Sequence, residues 1–100
     1  MIGRNKLKEY DILTRQKKEK EFSVWKGSDG RSYFFKHMEN QENKKAPIAQ
    51  IYKNRKYFTG LFPTKKPNMF TGDIKTNQGR LYLLFSIETQ ERIKVFKRVG

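Results

Sequence analysis

A chain of 100 residues, 35% hydrophobic and 14% aromatic, makes one domain with one modest core that leans on Phe and Tyr for buried area. Its 23 Lys and Arg against 10 acids leave a net charge of +13, which costs stability through self-repulsion and points to an anionic partner: nucleic acid, an anionic membrane surface or an acidic protein. With no cysteine there is no disulfide framework, thiol nucleophile or zinc ribbon; with no signal-peptide run and no stretch of about 18 apolar residues, the expectation is a cytoplasmic protein without membrane insertion.

Residues 1–21 read as a short N-terminal helix or a flexible basic arm. Leu7, Tyr10 and Leu13 recur at intervals of three, whereas Tyr10 and Ile12 alternate with Asp11, so neither period dominates. Lys17, Lys18, Glu19, Lys20 and Glu21 read as a solvated link. Residues 22–100 read as a single β-rich domain. Two β-rich runs flank Gly27-Ser28-Asp29-Gly30, a strong hairpin signal, with Tyr33, Phe35 and His37 on one face and Phe34, Lys36 and Met38 on the other. Strands are then expected over "IAQIYK", "YFTGLF" and "MFTGDIK", with Pro63 and Pro67 marking the "PTKKPN" loop.

The last hairpin has the clearest pattern. Leu81, Leu83, Phe85 and Ile87 make one apolar face, and Ile93, Val95 and Val99 alternate likewise. Pairing Ile87 with Ile93 and Phe85 with Val95 keeps both sets on one side. The opposite face then carries Tyr82, Leu84 and Phe96 among Arg80, Arg92, Lys94 and Arg98. That face is either a binding surface or one covered by a second layer with the cations at its rim. Five to seven short strands in so small a basic chain suggest a curved antiparallel sheet or an OB-like barrel.

Within this frame "KYFTGLFPTKKPNMFTGDIKTNQ" repeats itself: Phe58-Thr59-Gly60 returns twelve residues later as Phe70-Thr71-Gly72. Two copies are too few for a repeat architecture. A glycine inside a strand marks a bulge or sharp bend, so the echo is read first as paired curvature, with close approach of a phosphate backbone as the other reading.

Between Glu42 and Asp73 there is no carboxylate, and residues 44–68 carry a net charge of +7. Bases there alternate with aromatics, the combination a single-strand binder uses: cations track phosphates and rings stack on bases. Lys53, Arg55, Lys56, Lys65 and Lys66 are expected at phosphates, with Lys44 and Lys45 beside them. Tyr57, Phe62, Tyr82 or Trp25 is expected to offer a stacking face, and Arg80, Arg92, Lys94 and Arg98 extend the basic surface. No Walker lysine, Gly-x-Gly-x-x-Gly or His-Glu-x-x-His occurs, so no cofactor or metal is expected. The expectation is therefore a non-enzymatic binder of single-stranded DNA or RNA with little sequence specificity. Two alternatives stand beside it: an inhibitor or accessory subunit binding an acidic protein, and a small metal-independent ribonuclease using His37. A homodimer through unpaired sheet edges is a further option.

Overall fold

The computed structural model describes residues 6–38 and 46–99. Eight strands follow one another: β1 (Lys6–Lys18), β2 (Phe22–Lys26), β3 (Ser32–His37), β4 (Ala49–Lys53), β5 (Lys56–Pro63), β6 (Met69–Thr76), β7 (Gly79–Thr89) and β8 (Arg92–Val99). Each pairs antiparallel with its neighbours in sequence, and β8 returns to β1, closing the barrel. The β class and the barrel are as the sequence suggests. The count is eight strands rather than five to seven, and the up-and-down order differs from the Greek-key order of an OB-fold. Among the described residues there is no helix, and so none long and apolar enough to cross a membrane.

The N-terminal stretch is corrected from helix or arm to strand. β1 pairs with β2 on one side and β8 on the other, so residues 6–18 belong to the barrel. A bulge at Tyr10 explains the ambiguous pattern. Glu9 lies opposite Phe96 on the outside, but Asp11 lies opposite Val95 on the inside, because Tyr10 is the extra residue. One inserted residue flips the faces, turning a strand period of two into an apparent interval of three between Leu7, Tyr10 and Leu13.

The interior is filled by alternate residues from every strand but β6, whose Phe70 and Ile74 pack against it only partly buried. Leu13, Trp25, Tyr33, Phe35, Ile51, Leu61, Leu83, Phe85, Ile93 and Val95 are buried in one cluster. Ile87 pairs with Ile93 and Phe85 with Val95, as the hairpin pattern requires.

Both ends of the barrel carry polar fastenings. At the end holding the β2–β3 turn, the buried Asp11 carboxylate accepts hydrogen bonds from the Ser28 amide (2.9 Å), the Ser28 hydroxyl (2.6 Å), the Tyr33 hydroxyl (2.9 Å) and the Ile12 amide (2.8 Å). Burial pushes its pKa up, but these donors together outweigh burial and hold the carboxyl below its ordinary value. Burial, and then the hydrogen bond and charge of Asp11, push the Tyr33 phenol up. Gly27 makes this packing possible, since a Cβ there would lie 2.7 Å from Asp11 Oδ2. At the opposite end, Trp25 Nε1 donates to Ser23 Oγ (2.8 Å), and Ser23 Oγ lies 3.2 Å from His37 Nε2. His37 Nδ1 lies 3.2 Å from the Lys20 carbonyl oxygen, which can only accept, so Nδ1 donates there.

The two Phe-Thr-Gly copies meet where β5 crosses β6. These strands pair only at Phe62–Thr71 and Pro63–Phe70. Beyond that, the Thr59 hydroxyl takes over: it accepts from the Asp73 amide (3.0 Å) and donates to the Asp73 carbonyl (2.8 Å). Gly72 lies so close to β5 that a Cβ on it would sit 2.5 Å from the Gly60 carbonyl oxygen. The echo thus marks a site where neighbouring strands approach closely.

Candidate nucleic-acid interface

The outer surface of β2–β5 carries a line of aromatic rings. Phe34 on β3 lies directly opposite Tyr52 on β4, which lies opposite Tyr57 on β5, and Phe22 on β2 reaches Phe34 diagonally. Phe22 stacks on Phe34 with centroids 5.1 Å apart and planes 17° from parallel. Phe34 meets Tyr52 edge-on at 6.4 Å, and Tyr52 meets Tyr57 edge-on at 5.7 Å. The rings stand outside because their neighbours Tyr33, Phe35, Ile51 and Ser23 point inward, and a strand alternates. Phe34 is 39% and Tyr57 59% exposed, a large apolar area to leave in water.

Cations border this line. Lys17 Nζ lies 5.8 Å from the centre of the Phe22 ring. Lys36 and Arg55 line one depression with Phe34 and Tyr52, and Lys20 and Lys36 line the next with Phe22 and Phe34. Arg55 is aimed by the two-residue turn Asn54-Arg55, where both residues have positive φ (51° and 69°), as a tight hairpin turn demands.

Of the residues singled out from the sequence, Arg55 and Tyr57 belong to this surface. Trp25 is corrected: only 6% exposed, it packs against Phe35 inside the barrel and has no face for a base. Lys53 turns inward at the barrel end, its ammonium 5.1 Å from the Tyr33 ring, 5.6 Å from Phe58 and 6.0 Å from Tyr10. Lys56 is exposed beside Tyr57. Lys65 and Lys66 sit on the exposed β5–β6 loop, which the Ile87 amide fastens through the Asn68 carbonyl toward β7, away from the rings. Lys44 and Lys45 lie outside the described residues.

The β7–β8 outer face is uncovered among the described residues. Tyr82 is 50% exposed, with Arg98 5.5 Å from its ring. Leu7, Phe62, Leu84 and Arg98 line a depression with it. The other cations there face carboxylates: Arg80 pairs with Asp73 (2.6 Å), and Arg92 and Lys94 with Glu88 (3.4 and 4.0 Å). Cations and acids are mixed on both faces: Arg80, Arg92, Lys94 and Arg98 accompany Asp73 and Glu88 here, while on the β2–β5 face Lys17 pairs with Glu19 (3.9 Å) and Lys20 and Lys36 lie with Glu21. The continuous line of rings is what sets the β2–β5 face apart.

Phe22, Phe34, Tyr52, Lys17, Lys20 and Lys36 were not selected from the sequence. Their signal was a second apolar residue on the outward parity of a strand whose inward parity was already filled, as in Tyr33-Phe34-Phe35 and Ile51-Tyr52. Among the described residues no group of three His, Asp or Glu gathers as a metal site. His37 spends both ring nitrogens on Lys20 and Ser23. No protein-family model, curated protein or solved structure matches the chain.

Proposed function

We propose that this protein binds single-stranded nucleic acid, DNA or RNA, without catalysis and with little sequence specificity, on the outer face of β2–β5. The observation that carries the reading is the continuous line Phe22–Phe34–Tyr52–Tyr57 bordered by Lys17, Lys36 and Arg55. Rings 5.1 to 6.4 Å apart suit successive unstacked bases, whose π-faces a duplex keeps buried in its own stack, while the cations meet the phosphates. Every base has a π-face, so stacking discriminates little between sequences. Such a partner fits a cytoplasmic protein.

A second reading, an acidic or apolar protein partner, is favoured by the uncovered Leu7, Phe62, Tyr82 and Leu84 on the opposite side of the barrel. The two are separated by anisotropy titrations of labelled single-stranded DNA, RNA of the same sequence, and the duplex, at about 50 and 200 mM salt. The nucleic-acid reading expects tight, salt-sensitive binding that favours the single strands. Equal binding to the duplex, or only a weak association that salt erases, rejects it.

A further inference from the structure

We propose that the gap between β5 and β6 accepts an extended acidic segment of another protein as an added strand, at a site that adjoins the end of the aromatic line at Tyr57. The argument starts from the direction of backbone groups. Asp73 turns both its amide and its carbonyl toward β5, where Thr59 Oγ1 bonds the two. In a strand, residues two apart present their amides and carbonyls to the same side. Lys75 therefore also turns its amide and carbonyl toward β5. Regular continuation of the Phe62–Thr71 register would set Phe58 opposite Lys75, yet no pairing exists beyond Phe62–Thr71 toward that end. The bulge at Phe58, the extra residue between Ile51–Thr59 and Tyr52–Tyr57, turns β5 aside there. What opens is a cleft lined by Tyr57, Phe58, Asp73, Ile74, Lys75 and Arg80.

An open edge pairs with another strand unless something forbids it. Here the lining carries Lys75, with Arg80 beside it and already paired to Asp73, and Lys56 is exposed one residue before Tyr57. A second copy of this chain would bring those lysines against themselves. A nucleic acid would meet the Lys75 amide with a phosphate oxygen but has no evenly spaced donor for the Lys75 carbonyl. A peptide supplies donor and acceptor together, and acidic side chains on it would meet Lys56 and Lys75. Main-chain pairing gives such an interaction its affinity and the flanking charge its selectivity.

The test uses the full chain and a labelled eight-residue peptide alternating Glu and Val, with a Lys/Val peptide as control. The Glu/Val peptide is expected to bind and to slow hydrogen exchange of the Lys75 amide by about tenfold or more. Lys75→Pro, which removes that amide without touching a bond to β7, is expected to weaken peptide binding about tenfold. Should that variant fail to fold, the double variant Lys56→Glu/Lys75→Glu keeps both amides and is expected to lose the Glu/Val peptide and gain the Lys/Val one. Phe34→Ala/Tyr52→Ala is expected to leave peptide binding intact, so this site and the nucleic-acid face fail separately. No binding, binding that leaves Lys75 exchange unchanged, or peptide binding lost only with the Phe34 and Tyr52 rings would each overturn the proposal.

Discussion

Thr59 and Asp73 are joined by a side chain where a sheet would use backbone: one hydroxyl both accepts from the Asp73 amide and donates to its carbonyl. The barrel stays closed at this point although the ladder between β5 and β6 has ended. Thr59→Val keeps the shape and removes both bonds, leaving a part-buried donor and acceptor unpaired. It is expected to cost about 1–3 kcal/mol and to release the Asp73 amide to exchange. Thr59→Ser should retain most of that protection. Urea denaturation and native-state hydrogen exchange on the two variants check this, and equal stability for all three proteins would contradict it.

The glycines of the two copies are not equivalent. A Cβ on Gly72 meets the Gly60 carbonyl oxygen at 2.5 Å and Thr59 Oγ1 at 2.6 Å, so strands must separate to admit it. A Cβ on Gly60 meets mainly the Phe62 ring edge at 3.0 Å and Pro47 at 3.3 Å, groups that can give way. Gly72→Ala is accordingly expected to destabilise by about 1–3 kcal/mol or more, and Gly60→Ala by clearly less. Thermal melts of both variants decide the order.

Asp11 links stability to pH. Its folded pKa is depressed, so its contribution is fully present above the ordinary carboxylate range and is lost as pH falls through the lower folded value. Asp11→Asn keeps the size but cannot accept from Ser28, Ile12 and Tyr33 together. At neutral pH it is expected to be less stable by about 1–3 kcal/mol. Below the folded pKa wild type carries a protonated Asp11, and the gap should shrink. Denaturation of both proteins from neutral pH downward would show the curves converging; a constant gap would mean that shape rather than charge sets the cost.

Salt dependence separates the cations of the aromatic face from those on the loop. Lys36→Ala/Arg55→Ala is expected to flatten the log–log salt slope on single strands by up to about 1.4, roughly 0.7 for each lost phosphate contact. Lys65→Ala/Lys66→Ala, on the loop fastened toward β7, should leave the slope nearly unchanged. The reverse pattern would move the binding face to the β5–β6 loop.

Much of this architecture was legible as alternation. Leu81, Leu83, Phe85 and Ile87 against Ile93 and Val95 specify one hairpin and its register, because a slip of one residue would expose every member. The paired glycines of residues 60 and 72 read as paired curvature, and they lie together where β5 and β6 approach closely. What alternation could not show was a bulge: at Tyr10 an extra residue swaps faces and imitates a helical interval, which hid β1 and with it the eighth strand. The aromatic face proposed above was half hidden for another reason. An acid-free run of sequence is contiguous in the chain, whereas the aromatic line is contiguous across four strands, so Arg55 and Tyr57 were found and Phe22, Phe34 and Tyr52 were not. Trp25 and Lys53 look available in sequence and are taken by the core and by three rings at the barrel end.

The most direct measurement is the affinity of labelled single-stranded oligonucleotides for wild type and for Phe34→Ala/Tyr52→Ala, with melting temperatures taken alongside. Both rings point outward, so the double variant should remain folded. The account predicts a loss of about 1–3 kcal/mol of binding for each stacking ring removed. A folded double variant that binds as tightly as wild type would contradict the proposal that this face holds the single strand.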